Sequence, residues 1–355
     1  MLTRRDVYSG KLGSPMTITK PHGVTIRATA HYVPERVVTN ADLEKVMDTS
    51  DEWIVQRTGV RERHFCAEGE STREMSFAVL KDLLRKAEIR PDELDLFILA
   101  TVGAHMTCPS TACQILGDLA DDPEFGHTNA GAFDITVACS GFTYGLNMAH
   151  DLMASGQYRN IAVIGAEHLS QFIEMTTRGR GTAIIFGDGA GGAIISRSDN
   201  PEHGIKSQMM RSDGAKWGEL YIPEKDRDIP DETHNGELPL GMMRRNGRAI
   251  FKFAVGTFGD LIQQTLDKAD LSPADVDHYI CHQSNVRILE ACRERFGIPE
   301  DKMPINIDRM GNTSAASVPI LFDEQVQAGR IKPGQKVMFV AFGAGLTWTS
   351  SLWQL

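Results

Sequence analysis

Phe133-Asp134-Ile135-Thr136-Val137-Ala138-Cys139-Ser140-Gly141-Phe142 decides how this chain is read. The apolar, β-branched run predicts a buried strand, and Ser-Gly then opens a helical stretch over 141–153. Cys139 therefore falls at a strand-to-helix turn. The positive end of a helix favours a thiolate there, and the thiolate is the nucleophilic form. The arrangement is that of a nucleophile elbow with sulfur in place of oxygen. Taken alone, a cysteine is more often a small buried hydrophobe.

The surroundings change that balance. After Cys139 and its helical run come Ala-Ser-Gly156, a basic residue and the strand-like run 161–165. After Asn312 come a helical run over 314–326, Ala-Gly329, basic residues and a strand-like run over 337–341. Cys139 to Gly156 and Asn312 to Gly329 are both separated by 17 positions. A second pair agrees in order: Pro91-Asp-Glu-Leu-Asp95 before 96–100, and Pro273-Ala-Asp-Val-Asp277 before 278–281. Each follows an amphipathic helical stretch, 75–87 and 253–269. The chain thus reads as a duplication whose near-continuous apolar strands predict mainly parallel sheets between helices. Cys139 and Asn312 then occupy equivalent helix starts near one pseudo-symmetry axis. The expected division is a flexible leader over 1–22, a nucleophile-bearing half over 23–198, and a second half over 199–355.

The 355 residues are long enough for about two such units. With 41% hydrophobic residues a large core is available. A net charge of −10 disfavours nucleic acid as a partner. No apolar run approaches the ~18 residues of a membrane span, and no apolar stretch follows Arg4 and Arg5 as it would in a signal peptide. Six scattered cysteines without CxxC or Cys/His spacing argue against a disulfide framework or a metal site, and a reducing, cytoplasmic location is expected.

Two further polar residues stand where chemistry is expected. His282 follows the strand-like run 276–281, at the carboxyl end where ligand crevices form. Asn312 sits between Gly311 and Thr-Ser, where it could equally cap a helix. Gly187-Asp-Gly-Ala-Gly-Gly192 fits a dinucleotide fingerprint, but strand-like Ala-Ile-Ile-Ser196 follows instead of a helix. It reads as a tight β-hairpin with close backbones. Around Phe342-Gly-Ala344-Gly-Leu346, backbone N–H groups could face the Cys139 helix start. The stretch 243–252 carries Arg244, Arg245, Arg248 and Lys252 without an acid, and Arg287 and Arg293 follow His282. On an acidic chain such a patch suits an anionic substrate or an acidic partner protein.

With these residues in hand, the chain resembles the β-ketoacyl-acyl-carrier-protein synthase III family, from about Val24 to the C-terminus. The resemblance lies in Thr49-Ser-Asp-Glu-Trp53-Ile-Val-Gln-Arg57-Thr-Gly59, Ala138-Cys-Ser-Gly-Phe-Thr-Tyr144, Ile185-Phe-Gly-Asp-Gly-Ala-Gly191, His282-Gln-Ser-Asn285 and Gly311-Asn-Thr-Ser-Ala-Ala-Ser317. It implies an α/β thiolase-like fold, a duplicated αβαβα five-layer architecture with two mostly parallel mixed sheets, and a homodimer. It implies a catalytic Cys139, His282 and Asn312, with an oxyanion hole from the N–H groups of Cys139 and Ala344. Cys139 would take an acyl group from acyl-CoA and pass it to malonyl-acyl-carrier protein with loss of CO2, starting type II fatty-acid synthesis. No permanently bound cofactor or metal is implied. Trp53, Arg57, Arg180 and Arg248 would contact CoA, Arg287 and Lys252 the carrier protein, and Cys108, Phe342 and Leu346 the acyl group.

Three departures from the family pattern stand out. Alanine occupies position 344, where glycine is usual. The connection 116–130 is longer and reads as an exposed acidic loop. Cys108-Pro109 replaces a bulky aromatic, which predicts a roomier pocket and primers longer or more branched than acetyl. Two other functions fit the same residues: a secondary-metabolism relative that primes a polyketide or transfers an acyl group, and a cysteine thioester hydrolase.

Overall fold

The computed structural model describes residues 22–230 and 238–355. The expected leader, apart from His22, lies outside them. The layers are built from β1 (Gly23–Tyr32), α1 (Thr72–Ala87), β2 (Leu96–Ala100), α2 (Thr111–Asp121), β3 (Gly131–Ile135), α3 (Gly141–Ala154), β4 (Asn160–Glu167) and β5 (Gly189–Ser198). They continue with β6 (Gly204–Ser212), α4 (Gly247–Ala269), β7 (His278–Cys281), α5 (Val286–Phe296), α6 (Ser317–Gln327), β8 (Lys336–Gly343) and β9 (Thr347–Gln354).

One sheet has the order β1-β5-β4-β2-β3 and the other β7-β8-β9-β6. The first draws only on 23–198 and the second only on 204–354. Helices α3 and α6 lie between the sheets, α1 and α2 cover the outer face of the first, and α4 and α5 cover the second. This is the five-layer αβαβα stack. Ile98, Phe142, Leu146, Val163, Phe322 and Phe339 fill the central layer, and separate buried clusters lie under the outer helices. Helices cover both faces of each sheet, so the inner strands β2, β4 and β8 carry near-continuous apolar runs. No helix among the described residues is long and apolar enough to cross a membrane.

Both sheets are mixed. Parallel pairing joins β2 to β3 and β4, and β7 to β8; β1–β5, β4–β5, β8–β9 and β9–β6 are antiparallel. The glycine-rich segment is not a hairpin. It is the start of β5, a ten-residue strand between β1 and β4. The expected close approach is present, since a Cβ on Gly192 would come 2.7 Å from Val163 O. β3 is only half buried, because it forms the edge of its sheet.

The acidic connection is also not a free loop. Its first residues complete α2, and Asp118, Asp122 and Glu124 pair with Arg73, Lys81 and Arg85 of α1. The duplication holds at the level of elements but shifts by three residues in detail. Ala315, not Asn312, precedes α6 by the two residues that separate Cys139 from α3. Ala138 (φ 46°) and Ser314 (φ 49°) share the same unusual backbone at the two turns. The equal spacing to Gly156 and Gly329 arose because α6 is three residues shorter than α3.

Candidate active site

Cys139 sits in a single 3-10 turn, Ala138–Ser140, between the end of β3 and α3. The left-handed φ at Ala138 is a strained conformation for a residue with a Cβ and marks a sharp elbow. The thiol is 6% exposed. Burial pushes it up to about 12, the hydrogen bond with the Ser314 hydroxyl pulls the other way, and the nearby Glu167 carboxyl raises it further. The thiolate expected from the helix field alone is therefore corrected. Burial of the sulfur outweighs the helix end, and the resting group is the thiol.

His282 follows β7, and its N–H donates to Val340 O at 2.8 Å. Nδ1 lies 2.6 Å from Ser317 Oγ, and the Phe342 ring packs edge-on at 5.5 Å and 79°. This enclosure pushes the imidazole down to about 3, so it is neutral. Asn312 is held from both sides by the segment before β5: its N–H donates to Ile185 O at 2.8 Å, and its carbonyl accepts from Gly187 N–H at 3.1 Å. The Ser314 N–H donates to Asn312 Oδ1 at 2.8 Å, which leaves the Nδ2 amide as the donor for the cavity Asn312 lines.

The end of β8 abuts the Cys139 turn. A Cβ on Gly343 would lie 2.7 Å from Cys139 N, so only glycine lets the two backbones meet. Ala344 lies outside the left-handed region, and its methyl group is accommodated without backbone strain. The Thr347 hydroxyl lies 3.0 Å from Ser140 Oγ and 3.2 Å from Ala344 O, tying this turn to the elbow.

Cys139, His282 and Asn312 line one cavity of about 950 Å³. Trp53, Arg57, Arg248, Arg287, Phe342 and Leu346 share its wall. The guanidinium groups of Arg57 and Arg180 lie 4.7 and 4.8 Å from the Trp53 ring centre. Arg180 reaches the site through that ring and is not part of the wall itself. Trp53 also packs against a buried apolar cluster, so its core-packing and binding roles coexist. Arg287 stacks at 5.6 Å on Phe251, another wall residue, and Lys252 is exposed beside it.

Within one chain Cys108 is exposed and stands apart from this cavity. Two other expectations are corrected. Arg244 is buried and donates to Leu238 O, so it belongs to the scaffold and not to a surface patch. Arg293 is likewise occupied, by Met303 O and Glu300. A second grouping, Cys66, His168 and Asp188, has its carboxylate taken by the N–H groups of Cys66 and Ser170 and by the Ser170 hydroxyl.

Sequence reasoning missed Glu167, Ser314, Ser317 and Asn285. Asn285 caps α5 and donates from Nδ2 to Arg57 O at 2.8 Å, fastening the Trp53 helix to the His282 loop. Glu167 had a legible signal: an acid ending the apolar strand that follows the Cys139 helix.

A buried cysteine at an elbow, a neutral histidine and an oriented asparagine amide, brought together by a duplicated αβαβα stack, define a thiolase-fold condensing acyltransferase. Comparison with known proteins agrees. The family described as 3-oxoacyl-[acyl-carrier-protein (ACP)] synthase III matches residues 133–214, and its C-terminal region matches 266–355. The beta-ketoacyl-[acyl-carrier-protein] synthase III of Caldanaerobacter subterraneus subsp. tengcongensis is 43% identical, over 92% of this chain and 96% of its own. The Escherichia coli K12 protein of the same name is 42% identical, over 92% of this chain and 98% of its own. The crystal structure of 3-oxoacyl-[acyl-carrier-protein] synthase III from Aquifex aeolicus VF5 superposes with a TM-score of 0.84 at 39% identity, covering 94% of this chain and all of that one. The priming beta-ketosynthase of the R1128 polyketide pathway gives 0.85 at 29% identity, covering 96% and 99%. The chain belongs to the beta-ketoacyl-[acyl-carrier-protein] synthase III family.

Proposed function

We propose that this protein condenses an acyl-CoA primer with malonyl-acyl-carrier protein, giving a 3-oxoacyl-carrier protein, CoA and CO2, and so initiates fatty-acid synthesis. The observation that carries the reading is the convergence of Cys139, His282 and Asn312 on one cavity that also reaches Trp53 and Arg57.

The Cys139 sulfur attacks the thioester carbon of the primer, and the CoA sulfur leaves. The N–H groups of Cys139 and Ala344 hold the oxyanion formed in that step. Malonyl-carrier protein then presents its thioester carbonyl to two donors, the Asn312 amide and His282. In the tautomer this step uses, the Ser317 hydroxyl turns from Ser314 O to donate to Nδ1, and the neutral imidazole offers Nε2–H to the cavity. The bond to the malonyl carboxylate breaks, CO2 departs, and the two donors stabilise the enolate. Its carbon attacks the acyl-cysteine, and the Cys139 sulfur leaves. Charge that appears only in the transition state is thus met by donors already fixed in place.

Trp53, Arg57, Arg180 and Arg248 fit the nucleotide end of CoA, and Arg287 and Lys252 fit an acidic carrier. Phe342 and Leu346 bound the acyl group. No resident cofactor enters this scheme. The working form is a cytoplasmic homodimer in this reading, and the half-buried edge strand β3 is a surface that pairing would cover. The likeness to a priming ketosynthase favours one second reading, priming of a polyketide carrier instead of a fatty-acid carrier.

One experiment tests the scheme. The protein is incubated with a panel of acyl-CoAs, acyl mass on Cys139 is read, and malonyl-carrier protein is then added. The expected result is a Cys139 thioester followed by CO2. Labelling that survives in Cys139→Ala overturns the nucleophile, and labelling without CO2 turns the reading to simple acyl transfer.

A further inference from the structure

Glu167 ends β4 fully buried, beside the nucleophile but not part of the scheme above. Its Oε2 accepts from Val102 N–H at 3.0 Å and lies 3.3 Å from the Thr101 hydroxyl. Its Oε1 accepts from the Ser314 hydroxyl at 2.9 Å, and the Ala315 N–H also donates to the carboxyl. The turns that carry Ser314 and Cys139 pack on each other, and the Ser314 hydroxyl, close to the Cys139 sulfur, favours its charged form. A hydroxyl has one hydrogen and two lone pairs. With that hydrogen pointing at Glu167, an oxygen lone pair is left for the thiol proton, and once the proton has passed the serine donates it back towards the thiolate, the contact that favours the charged sulfur. The atoms Cys139 Sγ, Ser314 Oγ and Glu167 Oε1 form a continuous path for one proton.

We propose that Glu167 is a positioning residue which, through Ser314, receives the Cys139 proton as the thiol attacks the primer. The thiol proton passes to Ser314 Oγ while the Ser314 hydroxyl proton passes to Glu167 Oε1. The sulfur gains the electron pair that forms the bond to the acyl carbon. The carboxylate becomes a neutral carboxyl, and the serine ends unchanged with its new proton. The departing CoA thiolate takes a proton from solvent at the cavity mouth, and the proton held on Glu167 returns through Ser314 to the Cys139 sulfur when that sulfur leaves in condensation.

Two features make the path suitable. First, burial holds the carboxyl up to about 7, against about 4.5 for a free glutamate, so it can hold a proton near neutrality. Second, part of what holds the thiol up is the Glu167 charge itself. That part vanishes when the proton arrives, so a single negative charge moves along the path instead of a second one being created in a dry pocket. Thr101, Val102 and Ala315, which also contact the carboxyl, are uncharged groups there, and Cys139 is the titratable side chain it faces.

The inference rests on Cys139 being the acylated residue, and the test separates the two claims. Single-turnover acylation of Cys139 by acyl-CoA is followed by quenched-flow mass spectrometry from pH 5.5 to 9 (pH values about 1.5 to 2 units either side of neutrality). Condensation from pre-acylated enzyme is measured separately. In the wild type, acylation is expected to rise through about pH 7 as Glu167 loses its proton. Glu167→Gln and Ser314→Ala should each lose that rise and acylate roughly 10²-fold more slowly, the scale of a lost proton acceptor. Their condensation step should be little changed, and the double variant should be no slower than the slower single one. Glu167→Asp should restore part of the rise. Ser314→Ala removes only the hydroxyl, so it decides the matter even if Glu167→Gln does not fold. Normal acylation with the wild-type pH profile in Ser314→Ala overturns the relay alone. No acyl mass on wild-type Cys139 overturns the nucleophile, and the relay with it.

Discussion

A sulfur kept dry must lose a proton once and serve as a leaving group once, and different neighbours serve the two steps. Asn312 belongs to the second step, because its Oδ1 is fixed by Ser314 N–H and its Nδ2 remains a donor. Asn312→Ala should leave acylation of Cys139 intact and slow CO2 release by about 10²–10³, the effect of removing one oxyanion donor; trapping of the acyl-enzyme without CO2 is the readout. His282 and Glu167 make opposite marks on stability. The folded His282 is held near 3 while its unfolded value is about 6.5, so the unfolded chain binds more protons between them. Its contribution is complete above about pH 6.5 and is lost as pH falls through that window. Glu167 is raised to about 7, so its contribution is complete below about 4.5 and is lost as pH rises through 7. Glu167→Gln should therefore flatten the loss of stability as pH rises from about 4.5 to about 7, a difference on the order of 3 kcal/mol. Denaturant midpoints of wild type and variant across that range check the sign. A variant curve that still falls with the wild-type slope would refute it.

Among the elements, the short helix Asp51–Thr58 carries Trp53 and Arg57 into the cavity wall, capped by Ser50 at one end and Gly59 at the other. Asn285 pins Arg57 O from the His282 loop, so the nucleotide-facing and catalytic ends of the site are one hydrogen-bonded unit. Trp53→Ala should raise KM for acyl-CoA about tenfold, as expected for loss of one stacking surface worth about 1–2 kcal/mol. It should leave kcat, and the KM for an acyl thioester lacking the nucleotide, nearly unchanged; steady-state kinetics on both substrates decides this. The elements most legible in the sequence were those with period and punctuation together. The run into Cys139 was a strand meeting Ser-Gly, and the structure places the elbow there. The paired Pro-Asp turns before β2 and β7 were equally plain. Partnership was not legible. β3 reads apolar yet is an edge, the glycine run 187–192 reads as a hairpin turn yet its residues from Gly189 on pair on both sides, and Arg244 reads as surface charge yet is sealed against Leu238. Ser314 and Ser317 were out of reach, because their roles come from contacts spanning 35 to 147 positions of sequence, whereas Glu167 showed at least as an acid ending an apolar strand.

Across the whole molecule, the stacked halves divide the labour. The first sheet delivers Cys139 and Glu167, the second delivers His282, and the connection into α6 delivers Asn312 and Ser314. The inner layer of α3 and α6 lets residues from both halves approach through glycine-lined contacts instead of flexible loops. Charge is divided just as unevenly. The chain carries −10 overall, yet Arg57, Arg248 and Arg287 share the wall of the catalytic cavity, with exposed Lys252 beside them. A cationic rim on an acidic body repels other acidic surfaces everywhere except at the mouth, so it orients an acidic carrier as well as attracting it. Arg287 and Lys252 lie on α5 and α4, outside the catalytic set, and reversing their charge should act on the encounter alone. The double variant Arg287→Glu/Lys252→Glu should raise KM for malonyl-carrier protein about tenfold or more at low salt, with the gap narrowing as ionic strength rises and the Debye length falls below about 8 Å. Acylation by acyl-CoA in single turnover should stay close to wild type, because Cys139 and its neighbours are untouched. Equal loss in both half-reactions would make these side chains serve acyl-CoA as much as the carrier, whereas a carrier KM insensitive to both charge reversal and salt would remove the cationic rim from recognition altogether.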